Sequence, residues 1–214
     1  MTNPFTRLTH LVTQMLFSVI TPPLLVPAIA RQSITRLFVS FCFGRAYGNG
    51  YQKVIDCFKG RYGAAMAEGL AKAKEVAENG ISVVVDCGTG TGFVARQAAE
   101  YFPDAMLIAY DCLYRMLMQA RRGCKHLNTD VQHLQADTFA LPLADQSVDL
   151  LLVQNTIPCF SEFARVCRPG GMVLYVDTSA GWIVDLVKRL VERHGLFKTV
   201  TGERVDLGFY ALIR

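Results

Sequence analysis

Residues 81–92 of this chain, ISVVVDCGTGTG, join a short β-branched run to a turn in which every second residue is glycine. An apolar run without alternation is what a strand needs when helices cover both of its faces. The glycines that follow, Gly88, Gly90 and Gly92, reach backbone angles that other residues rarely adopt, and they let a ligand come close to the main chain. Residues 93–101 (FVARQAAEY) have helical composition, so the turn ends at a helix N-terminus whose free N–H groups face polar or anionic atoms.

The same alternation continues. Residues 105–110 (AMLIAY) predict a second strand ending at Asp111, and residues 113–122 (LYRMLMQARR) a helix closed by Gly123. A third, more polar strand over 131–136 ends at Asp137, a fourth covers 148–153 (VDLLLV) and a fifth 172–176. Residues 182–194 place Ile183, Leu186, Val187, Leu190 and Val191 on one face of a helix. Residues 197–201 and 207–213, split by a polar turn with Gly202 and Glu203, read as a terminal hairpin. The expected fold class is α/β: a doubly wound, mostly parallel sheet with a C-terminal antiparallel hairpin, plus an N-terminal helical arm.

Composition locates that arm. With 214 residues, the chain suits one domain and an appendage. It is 51% hydrophobic and only 19% charged, and much of the surplus lies between Arg7 and Arg31, where no formally charged side chain occurs. Pro22, Pro23 and Pro27 interrupt the run LFSVITPPLLVPAIA at 16–30, and a second apolar stretch follows at 37–43. Two short helices broken at the prolines are expected, lying on a membrane face, over an apolar pocket or in ordinary core packing. The prolines weigh against a full membrane span, and the sparse charge before the run against a cleaved signal peptide. A glycine- and tyrosine-rich link over 44–63 leads to a helix at 64–78 that stops at Asn79-Gly80, so the chain divides into an arm and substrate cover, 1–78, and a ligand-binding domain, 79–214.

Lys and Arg number 22 against 18 Asp and Glu, a net charge of +4, which gives no nucleic-acid footprint. The seven cysteines form no C-x-x-C pair, so neither a zinc site nor a disulfide framework is expected, and the compartment is read as reducing and cytoplasmic. No metal is expected.

Asp111 ends the second predicted strand 19 residues after Gly92, where a carboxylate accepts both hydroxyls of a ribose. The dinucleotide fingerprint G-x-G-x-x-G is not met: the loop reads G-x-G-x-G and Phe93 follows, which disfavours a pyrophosphate cradle.

The segment VVVDCGTGTG (83–92) resembles the first motif of class I S-adenosylmethionine-dependent methyltransferases. Three further blocks fit that family in order: AYDCLYRMLMQAR (109–121), QADTFALPLADQSVDLLLV (135–153) and RVCRPGGMVLYVD (165–177). The resemblance is closest to the subgroup of ubiquinone and menaquinone C-methyltransferases. It implies a Rossmann-like fold and S-adenosyl-L-methionine as cofactor. By position, it implies that Asp86 and the Cys87, Gly88, Thr89, Gly90 and Gly92 loop hold the methionine part, while Asp111 takes the ribose hydroxyls. Cys112 and Leu113 would lie beside the adenine, Asp137 and Thr138 at its amino edge, and Gln154 and Asn155 toward the methionine and methyl. Asp149, which in the family tethers backbone, is left out of the site. The family often carries a histidine pair or aromatic-rich stretch after the fourth strand; here the residues are Asn155-Thr156-Ile157-Pro158-Cys159-Phe160, which match the Asn-Pro-Pro-aromatic motif of amino-methylating enzymes poorly.

Methyl transfer is an in-line displacement that needs alignment and water exclusion more than a dedicated base. His10, His126, His133 and His194 stand in no motif that selects one, so no catalytic residue is named. Residues 177–197 leave room for one helix and no insertion, so the cover must come from the first 78 residues, with Phe38, Phe41, Phe43, Tyr47 and Tyr51. That points to a small hydrophobic acceptor such as a quinone, isoprenoid or lipid-like phenol, with peripheral membrane contact through residues 1–43. Arg45, Lys59 and Arg61 read as a solvated basic face or as contacts to an anionic head group. A nicotinamide-dependent oxidoreductase and a non-catalytic cofactor-binding subunit are the competing readings.

Overall fold

A computed structural model describes residues 59–178, 181–195, 197, 200–206 and 208–214, together with Ile29. The broken apolar helices at 16–43, the aromatic residues between Phe38 and Tyr51, Arg45, His10 and most of the glycine- and tyrosine-rich link lie outside the described residues.

The described chain runs α1 (Lys59–Tyr62), α2 (Ala64–Val76), β1 (Val83–Cys87), α3 (Phe93–Tyr101), β2 (Met106–Asp111), α4 (Tyr114–Cys124), β3 (Val131–Gln135), β4 (Val148–Gln154), α5 (Phe160–Val166), β5 (Cys167–Asp177), α6 (Gly181–His194), β6 (Val200–Val205) and β7 (Gly208–Ile213). The seven strands form one sheet in the order β3-β2-β1-β4-β5-β7-β6. β1 pairs in parallel with β2 and β4, β2 with β3, and β4 with β5, whereas β7 runs antiparallel between β5 and β6. This is the expected α/β, Rossmann-like sheet with its antiparallel hairpin. The order reverses between β1 and β4, and in such sheets ligands bind beyond the carboxyl ends of the strands at that reversal.

Alternate side chains feed two cores. Val84, Leu107, Ala109, Leu150, Leu152 and Leu174 pack under α2 and α3, which contribute Met66, Leu70, Val94 and Ala98. Val85, Leu151, Val153, Val173 and Tyr175 pack under α5 and α6 through Phe163, Ile183 and Val187. Burial on both faces explains why the strand segments read as continuous apolar runs. On α6 the buried residues are Ile183, Val184, Val187 and Val191, with Leu186 and Leu190 half-buried at the edge.

Glycine positions account for three differences from the expected boundaries. α4 continues through Gly123, because a side chain there would run into the Arg96 guanidinium and the Thr91 carbonyl; the glycine serves close packing, not termination. Gly202 and Glu203 lie within β6, opposite Ala211 and Tyr210, and not in the turn. A Cβ at Gly202 would stand 2.3 Å from the Tyr210 carbonyl oxygen, so the glycine admits the neighbouring strand, and the reversal is made by Asp206 in the left-handed region, φ 51°. β5 starts at Cys167, five residues early, and Arg168–Gly171 forms an irregularity opposite Val148–Leu150.

Candidate functional site

The glycine loop leaves β1 at the reversal point. Gly88, Gly90 and Gly92 all have positive φ, 70°, 56° and 78°. At Gly88 there is also no room for a side chain: a Cβ would lie 2.6 Å from Thr156 Oγ1 on the loop after β4. The Thr89 N–H donates to the Tyr110 carbonyl at 2.8 Å, and Gly92 N–H to the Thr89 carbonyl at 2.8 Å, which ties the loop to β2 and to the start of α3.

The strand registers bring Asp86 (β1), Asp111 (β2) and Gln154 (β4) onto one face at the carboxyl end of the sheet, since Asp86 pairs with Ala109 and Leu152. Asp111 is 7% exposed; its Oδ2 accepts from Gly90 N–H at 3.0 Å and its Oδ1 from Leu113 N–H at 2.8 Å. Burial still raises its pKa from the ordinary aspartate value, against those two amides. Asp86 is 3% exposed, and burial pushes its pKa up to about 7; the Thr89 hydroxyl and Ala95 N–H pull it down, nearby Asp111 raises it and Arg96 lowers it. Among the described residues, none hydrogen-bonds to Asp86 Oδ2 or to either end of the buried Gln154 amide.

The other expected site residues divide. Cys87 points to the opposite face, into the core under α5 and α6, where burial raises its thiol pKa, so only its backbone borders the loop. Cys112 is exposed, its carbonyl accepting from Gln135 Nε2 at 3.2 Å, and Leu113 caps α4 beside Asp111. Asp137 Oδ1 accepts from Phe139 N–H at 3.1 Å, and the Tyr110 hydroxyl donates to Thr138 Oγ1 at 3.3 Å, which places both residues on the loop past β3. Asn155 is held by protein groups: its Nδ2 donates to the Tyr62 hydroxyl at 2.6 Å and to Thr178 Oγ1 at 2.7 Å, and its Oδ1 accepts from Thr178 N–H at 2.9 Å. Asp149, set aside from the site, accepts from Ser82 and Val83 N–H at 2.8 Å each and pairs with Arg168 at the far end of the sheet. Arg61, read as a surface cation, is committed to Asp206, with its Nη2 2.7 Å from Oδ1.

Residues 84–171 match the family model described as a methyltransferase domain. Over that segment the chain is similar to methyltransferase domains, in agreement with the motif order. The chain is 32% identical over 117 residues to the ubiquinone/menaquinone biosynthesis C-methyltransferase of Syntrophotalea carbinolica, covering 51% of this chain and 49% of that one. It is 31% identical over 134 residues to the malonyl-(acyl-carrier protein) O-methyltransferase of Dechloromonas aromatica, covering 60% of this chain and 46% of that one. The chain therefore spans about half the length of these relatives, or less. The crystal structure of a SAM-dependent methyltransferase from Aquifex aeolicus shares the fold, with a TM-score of 0.57 and 21% identity over 78% of this chain and 98% of that one.

The site has polar groups suited to the cofactor that the sequence resemblance implies. The unpartnered oxygen of Asp86 and the unpartnered amide of Gln154 are buried acceptor and donor atoms at the carboxyl end of the sheet, an expensive state for a closed core and an ordinary one for a ligand site. Sequence reasoning missed Tyr62, Phe93, Thr156 and Thr178, which pack at the same end of the sheet. Tyr62 looked like one tyrosine among several in a linker, and nothing local signals that it meets Asn155, 93 positions away.

Proposed function

We propose that this protein transfers the methyl group of S-adenosylmethionine to a small apolar acceptor at, or close to, a membrane surface. The observation that carries the cofactor half is the positive-φ glycine loop set between the buried carboxyls of Asp86 and Asp111 at the sheet reversal, inside a segment similar to methyltransferase domains. When bound, the cofactor supplies a methyl carbon already activated by a sulfonium.

The chain's own residues then bind, orient and exclude water. Asp86 and the Gly88–Gly92 backbone would hold the amino-acid end, with Gln154 offering a donor and an acceptor beside it. Asp111 would take the ribose hydroxyls, and Cys112, Leu113, Asp137 and Thr138 would border the base. The three glycines hold their left-handed angles at little cost, so the loop's shape is set by folding. No side chain is assigned as a base, which suits a displacement driven by the leaving sulfide.

The apolar acceptor is supported by the charge-poor stretch between Arg7 and Arg31 and by the aromatic residues that follow it. The named activity of the ubiquinone/menaquinone relative leans the same way. Incubating the full-length protein with methyl-tritiated S-adenosylmethionine and a quinol-bearing lipid extract should move label into the organic phase. Flotation with anionic vesicles should carry the protein upward. Label confined to the aqueous phase, with protein left at the bottom of the gradient, would contradict the acceptor and membrane parts of the reading.

A further inference from the structure

The segment just before α2 touches three elements at the carboxyl end of the sheet: α3, the end of β4 and the β6–β7 turn. The Tyr62 hydroxyl accepts from Asn155 Nδ2 at 2.6 Å at the end of β4, and through Asn155 it is linked to Thr178 at the end of β5. The Tyr62 ring meets Phe93, the first residue of α3, edge to face with centroids 5.7 Å apart. The Gly63 carbonyl accepts from Gln97 Nε2 of α3 at 3.2 Å, and a Cβ at Gly63 would strike both Gln97 and Phe93. Arg61 grips Asp206 in the β6–β7 turn with Nε and Nη2.

Asn155 sits at φ 51°, a conformation that side-chain-bearing residues hold only when surrounding contacts fix it. Those contacts are the amide bonds to Tyr62 and Thr178 and the Asn155 N–H to the Val176 carbonyl at 3.0 Å. The next residue, Thr156, lies against Gly88 so closely that no Cβ fits between them. A physical chain thus runs from the Tyr62 hydroxyl through Asn155 and Thr156 to the first glycine of the cofactor loop.

We infer that Tyr62 is a positioning residue: its hydroxyl, acting through Asn155, fixes the Gly88 end of the glycine loop and couples the segment entering α2 to cofactor affinity. The inference rests on the cofactor reading above. Tyr62→Phe removes one bond from the latch and Asn155→Gly removes all side-chain bonds while relaxing the positive φ.

The test is titration of wild type, Tyr62→Phe, Asn155→Gly and the double variant, all as full-length protein, with S-adenosylhomocysteine at a temperature well below melting. Each single variant should bind about 3- to 10-fold more weakly, the size of one or two net hydrogen bonds. The double variant should bind no more weakly than Asn155→Gly alone, because both changes break one path. In 15N-glycine-labelled protein, Tyr62→Phe should move the Gly88 amide resonance and leave that of Gly170, at the far end of the sheet, in place. Single variants within twofold of wild type with an unmoved Gly88 signal would overturn the inference, as would losses that simply add in the double variant. Failure of the wild type to bind would instead sink the cofactor reading.

Discussion

Burial holds Asp86 in a state that costs the fold stability. An aspartate with an ordinary pKa of 3.8 is raised to about 7 by burial. Below pH 3.8 the folded and unfolded chains both carry its proton and there is no penalty; as pH rises to about 7 the unfolded chain loses the proton while the folded one keeps it, so stability falls across that window and levels off above it. The full penalty is of the order of 4 kcal/mol. Asp86→Asn should therefore be more stable than wild type in urea unfolding at pH 8, with the gap shrinking toward pH 4, and it should bind S-adenosylhomocysteine more weakly. A pH-independent gap would show that the carboxyl is not the buried acid described. Asp111→Ala should weaken the same ligand by about 1–3 kcal/mol through unpaired ribose hydroxyls. Unaltered affinity in calorimetry would remove Asp111 from the site.

Between elements, packing at glycine decides more than propensity does. Gly92 caps α3 at φ 78°, and a Cβ there would stand 3.0 Å from Ala120 Cα and 3.2 Å from its carbonyl on α4. Gly92→Ala meets both backbone strain and helix backbone that cannot yield, so it should destabilise by about 1–3 kcal/mol in thermal unfolding. An unchanged melting temperature would mean that α3 and α4 separate freely. β1, β4, α3 and α6 were legible because each carries a local signature: β-branched runs for β1 and β4, helical composition for α3, a period of 3.6 for α6. The bounds at Gly123 and Gly202 were misread for one physical reason. Both glycines mark close approach of a distant chain segment, and a sequence displays glycine as punctuation whether it ends an element or admits a neighbour. Asp86 and Asp111 stood out in the sequence as carboxyls at strand ends beside the glycine motif, whereas Gln154 entered only through the family resemblance. Tyr62 and Thr178 were not, because their role exists only once β4 and β5 lie side by side.

On the scale of the molecule, the sheet order places every candidate ligand group at one end, while Asp149, Arg168 and the Arg168–Gly171 irregularity serve the other. Tyr62 and Gly63 meet Asn155 and Gln97 at the carboxyl end of the sheet, next to the candidate ligand groups. Among the described residues no helix is long and apolar enough to cross a membrane. The account stands on the cofactor site, and calorimetric titration of the full-length protein with S-adenosylhomocysteine and, separately, NADH tests it most directly. Micromolar binding of S-adenosylhomocysteine with no heat from NADH is the predicted result; binding of NADH alone would contradict it.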